Sequence, residues 1–142
     1  MDIVIPHVDG SAPGYEALCR EHDVDWVPCQ VRELGLRIDG TALGRRVLRL
    51  YQELERARLQ FRPYVWLSTD WFTPEGSSGF AIPFYLAHPR LVRLEHAQML
   101  EAEGSSHEQC MKLLRHEAGH ALDNAYRLHR RADWRATFGK YS

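Results

Sequence analysis

The chain has 142 residues, enough for one domain with a true hydrophobic core. At 44% hydrophobic and 26% charged it belongs with globular rather than disordered sequences. Its net charge of -1 argues against recruiting nucleic acid or an anionic membrane by bulk charge, and no apolar run approaches transmembrane length.

Residues 1–32 give mixed signals. Asp9–Gly14 is loop-like, Tyr15–Arg20 suits a short helix and Asp23–Pro28 reads as extended. The opening Met1-Asp2-Ile3-Val4-Ile5-Pro6 has no basic stretch followed by an apolar one, so no secretory signal is expected. Three cysteines, Cys19, Cys29 and Cys110, form an odd and sparse set, which predicts reduced thiols and a cytoplasmic location. The spacing of Cys19, His22 and Cys29 fits no standard zinc module, so incidental thiols are expected there.

Leu34–Ile38 alternates and suits a short strand or turn. Asp39 or Thr41 then opens a helix of about twenty residues, with Leu43, Val47, Leu50, Tyr51, Leu54 and Phe61 near one face. Its many arginines read as a solvated face balanced by Glu53 and Glu55 rather than as an anion site. Pro63 ends the helix. Tyr64–Phe72, rich in aromatic and β-branched residues, predicts a strand, and Thr73–Gly79 a mobile polar loop. Phe80–Leu86 predicts a second strand, which Pro83 confines to a sheet edge. Such an edge can pair with an extended peptide, making Ala81, Ile82, Phe84 and Tyr85 candidate substrate contacts; an ordinary edge protected by Pro83 is the alternative. After a turn at His88-Pro89, Leu91–Glu95 alternates as a third strand, and Ala97–Ala102 suits a helical turn.

Ser105 and Ser106 are N-cap candidates, and both Ser105-x-x-Glu108 and Ser106-x-x-Gln109 fit a capping box. The helix they open should run from about Ser106 to His129 and contains His116-Glu117-Ala118-Gly119-His120, an HExxH motif. Two histidines four residues apart on a helix project from one face, so both imidazoles can reach one tetrahedral Zn²⁺. Glu117 falls on the flank of that face, where it can act as general base toward a metal-activated water without ligating the metal. The residues around the histidines, Leu113, Leu114, Ala118, Gly119, Ala121 and Leu122, are small or apolar, as a helix buried on its back requires. Gly119 would let another group pass close to the backbone. Asp123 shares the histidine face and suits an acceptor that orients an imidazole N–H; a capped, solvated Asp is the alternative. His129, Arg130 and Arg131 suit the helix dipole, and Trp134 and Phe138 should pack on the core. Tyr85 and Tyr126 are the candidates for an oxyanion donor.

A catalytic zinc usually takes three protein ligands. A metzincin would carry a third His where Tyr126 stands, and a thermolysin-like Glu is missing because no Glu follows Glu117. Asp70, Glu75, His88, Glu95, His96, Glu101, Glu103, His107 and Glu108 lie upstream, none at a spacing that argues for it.

From about Phe61 onward, over half its length, the chain resembles a family of bacterial zinc-binding metallopeptidases of uncharacterised substrate. The resemblance rests on Phe80–Leu86 followed by His88-Pro89, on His116–Tyr126, and on Trp134-Arg135 and Phe138-Gly139. It implies a gluzincin-like zinc peptidase that hydrolyses peptide bonds, with His116 and His120 as ligands, Glu117 as base, and a third ligand from an acidic helical segment beyond Ser142. The expected fold is α+β and zincin-like: a small, mostly antiparallel sheet with an edge strand, packed on the HExxH helix and an N-terminal amphipathic helix. Residues 1–142 are then a single, incomplete metallopeptidase domain, with 1–38 as an extension packed on it. A peptide or protein is the expected partner. The alternative is an inactive domain of the same kind that binds a metal or a peptide without cutting it.

Overall fold

A computed structural model describes residues 35–140. The loop, helix and extended segment expected before residue 33, with Cys19, His22 and Cys29, lie outside the described residues.

The first helix, α1, spans Ala42–Arg56. Thr41 caps it: its Oγ1 accepts from the Gly44 N–H at 3.1 Å and donates to the Ile38 carbonyl at 2.5 Å. That cap folds the preceding chain back, so Leu36 and Ile38 enter the core beside Leu43, Val47, Leu50 and Tyr51. Gly44 is required here, because a Cβ would collide with the Ile38 carbonyl oxygen. The helix is shorter than its apolar pattern predicts. It closes on Arg58 at φ 59, with Leu59 N–H bonded to Leu54 O at 3.0 Å and Arg58 N–H to Glu55 O at 2.9 Å. This is a Schellman ending with arginine in place of glycine, and it leaves Phe61 beyond the helix.

Two strands follow, β1 at Tyr64–Ser68 and β2 at Gly79–Pro83. They pair in parallel, with Val65 opposite Phe80 and Leu67 opposite Ile82, which corrects the expected antiparallel sheet. Between them Phe72 forms an antiparallel bridge to Ala81, with the Ala81 N–H on Phe72 O at 2.8 Å. β2 therefore has neighbours on both edges, and every residue in it is buried, as in strands covered on both faces. Its outward N–H groups are spent: Gly79 donates to Ser77 Oγ, Ala81 to Phe72, and Pro83 has none. An added peptide strand finds no donor there. Ala81 and Ile82 are core residues, while Phe84 and Tyr85 belong to a 3₁₀ turn, Phe84–Ala87, rather than to the strand.

The expected third strand is a helix, α2, at Pro89–Met99. His88 caps it, Nδ1 accepting from Arg90 N–H at 3.1 Å, and Pro89 takes the first-turn position that needs no N–H. The long helix α3 spans His107–Tyr126 and packs against both α1 and β2. A 3₁₀ turn, Leu128–Arg130, and a short helix α4, Ala132–Phe138, follow. Trp134 and Phe138 stack on each other at 5.1 Å rather than on the core, and Phe138 is exposed. The arrangement is α+β, with the core held between α1, α3 and the small sheet.

Candidate metal centre and its cleft

Ser106 starts α3: its Oγ accepts from Gln109 N–H at 3.1 Å. Gln109 Oε1 in turn reaches back to the Gly104 N–H at 3.0 Å, two residues farther than the usual reciprocal cap. With its start fixed, the helix buries Cys110, Met111, Leu114, Ala118 and Ala121 along its back. Helical spacing then turns His116, Gly119 and His120 to solvent. No atom outside its own stretch of helix lies within 4 Å of where a Gly119 Cβ would stand, so the close approach expected there is absent among the described residues.

The two imidazoles converge. His116 Nε2 and His120 Nε2 lie 3.2 Å apart, with the rings edge-to-face at 82°. Two nitrogens on one tetrahedral zinc, each at about 2.0–2.1 Å, stand about 3.3 Å from each other. The donor pair therefore fits one such ion. No group of three His, Cys, Asp or Glu side chains suited to a metal occurs among the described residues.

Glu117 is buried at 7% exposure, beside two exposed histidines. The segment after β1 covers it. Thr73 Oγ1 donates to Glu117 Oε2 at 2.6 Å and lies 3.3 Å from the Glu117 carbonyl oxygen. Oε1 takes no hydrogen bond from the described residues. A buried carboxylate with one oxygen fixed and the other unclaimed can accept a proton from a neighbouring water. Asn124, four residues after His120, donates through Nδ2 to Ser77 O at 2.8 Å and Pro74 O at 3.3 Å. The segment predicted to be mobile is thus tied to the HExxH helix at both ends. Phe72, Thr73, Glu75, Glu117, His120 and Asn124 line an open cleft of ≈ 540 Å³.

Asp123 is buried and does orient an imidazole, but that of His129. It accepts from His129 N–H at 2.8 Å and lies 3.0 Å from His129 Nδ1. The pair closes the C-terminal end of α3, where Arg127 turns left-handed at φ 52. Tyr85 donates to Glu103 O at 3.0 Å, and burial pushes its phenol well above the usual range. Tyr126 packs on Phe61 with its hydroxyl 3.4 Å from Gln60 O. Neither tyrosine lines the cleft. Sequence reasoning missed Thr73 and Asn124, and it named Glu75 only as one of nine upstream donors with no spacing to single it out. Of the three only Asn124 carries a local signal, its spacing from His120.

Compared with known proteins, the chain matches no family model, no curated protein and no solved structure.

Proposed function

We propose that the chain is a zinc-dependent metallopeptidase domain of zincin-like, gluzincin type, acting on a peptide or protein in the cytoplasm. The observation that carries this is the 3.2 Å convergence of the His116 and His120 Nε2 atoms beside a carboxylate fixed by Thr73. His116 and His120 would hold the ion through Nε2. When bound, Zn²⁺ supplies Lewis acidity toward water and the scissile carbonyl. Glu117 takes the water proton on Oε1 and returns it to the leaving amine. Thr73 keeps Oε2 occupied, so the proton traffic has one oxygen. No helix among the described residues is long and apolar enough to cross a membrane.

The test is cleavage of a peptide library by the zinc-loaded protein, with Glu117→Gln as the comparison and metal content measured in both. Glu117→Gln is expected to keep zinc and lose about 10²–10⁴-fold in rate, the usual worth of a general base. Equal cleavage by the two proteins would remove Glu117 from the mechanism. A second reading, a domain that binds metal and peptide without turnover, is favoured by the lack of a third donor among the described residues. Peptide binding with zinc present and no product would select it.

A further inference from the structure

The cleft contains a second carboxylate that the hydrolytic reading does not use. Pro74–Ser77 forms a β-turn closed by Ser77 N–H on Pro74 O at 3.0 Å, with Glu75 and Gly76 at its centre. Gly76 at φ 74 supplies the left-handed residue that such a turn needs. The turn is held on each side of Glu75. Asn124 Nδ2 bonds the Pro74 and Ser77 carbonyls, and Thr73 bonds Glu117. Glu75 itself is exposed and makes no hydrogen bond or ion pair among the described residues. A fixed backbone thus presents a carboxylate without a partner on the wall shared with Glu117 and His120.

From this placement we infer that Glu75 selects substrates by binding a cationic group, an ammonium or guanidinium. The inference rests on the peptidase reading of the same cleft. A carboxylate with no partner, carried on a turn whose backbone is held, accepts a charge-assisted hydrogen bond from an incoming cation, and with Glu117 it offsets the charge that a bound ion would bring to the cleft. No three-donor metal group that includes Glu75 occurs among the described residues. The cation can be a Lys or Arg side chain or the free α-amino group of the peptide.

The experiment uses zinc-loaded full-length protein and peptides identical except for Lys or Leu at each position in turn, each with a free or an acetylated N-terminus. Relative kcat/KM is read by competition, and Kd is measured separately on Glu117→Gln. The expected result is about a three- to fivefold preference for the cationic member, the size of one solvent-exposed charge contact. That preference should fall toward unity in Glu75→Gln and reverse toward Glu-containing peptides in Glu75→Lys, with zinc affinity retained. A preference that follows acetylation assigns the α-amino group; one that follows Lys assigns the side chain. An unchanged preference in Glu75→Gln overturns the proposal, and so does a loss of zinc affinity, which would make Glu75 a ligand. If no peptide is cut, the hydrolase reading fails, while the Kd series still decides the role of Glu75.

Discussion

Glu117 has been taken almost wholly out of water and given one hydroxyl donor, Thr73, at 2.6 Å. Leaving a buried acceptor without its partner costs about 1–3 kcal/mol, more than a typical hydrogen bond adds net. Thr73→Val keeps the shape and removes the donor, so its unfolding free energy, read from urea titration, should fall by that amount and its midpoint with it. Thr73→Ser restores the hydroxyl and should recover most of the loss. Equal midpoints for Thr73→Val and wild type would mean that water replaces the bond and that Glu117 is not held by it. At this scale the sequence reveals the parts carried by one helix. His116, Glu117, His120 and the face they share follow from a period of 3.6 residues. Thr73 and Glu75 do not, because they meet the helix only once the segment after β1 folds across it. Nothing local in Thr73-Pro74-Glu75-Gly76 distinguishes a docked turn from a solvated one.

Between elements, α1 and α3 are joined by Glu53 and Arg115, the residue before His116. Arg115 Nε and Nη2 donate to the two Glu53 oxygens at 2.9 and 2.8 Å, with Arg49 3.5 Å away. The Arg115 guanidinium holds the Glu53 carboxyl below its ordinary value of 4.5. Both groups remain solvated, so the pair is worth no more than about 1 kcal/mol. A carboxyl lowered in the folded state stabilises above its unfolded value, and the gain is lost as pH falls through the folded one. Arg115→Ala should therefore lower the denaturation midpoint slightly at neutral pH and match wild type in acid, where Glu53 is protonated. A deficit that persists in acid would assign the effect to packing of the Arg115 stem. The element boundaries were poorly legible for a related reason. α1, α2 and α3 end at or beside Arg58, Leu100 and Arg127, all left-handed without being glycine, so the usual stop signal is missing. Leu91-Val92-Arg93-Leu94-Glu95 alternates like a strand, yet α2 buries no residue and so leaves no helical stripe to read. The His88-Pro89 cap was the signal that marked it.

For the whole molecule, a helix followed by a run of β-rich stretches and then the HExxH helix gave the α+β class, whereas the direction of strand pairing depends on how residues 69–78 cross, which no local pattern records. The same holds for the metal reading, which joins a local pair to global stability. His116 and His120 are exposed, and their nitrogens are already spaced for one ion, so binding requires little rearrangement of the fold. An ion that binds the folded chain and not the unfolded one stabilises it by RT ln(1 + [L]/Kd), about 2.7 kcal/mol at a free concentration 100-fold above Kd. Zn²⁺ should therefore raise the Tm of the chain in a concentration-dependent way. His116→Ala and His120→Ala should each abolish the rise while leaving the metal-free Tm near that of wild type, because neither ring is part of the core. Protons compete with the ion for imidazole, so the rise should shrink as pH falls. A Tm indifferent to zinc, or a rise that survives loss of either histidine, would show that the convergent nitrogens do not hold the metal.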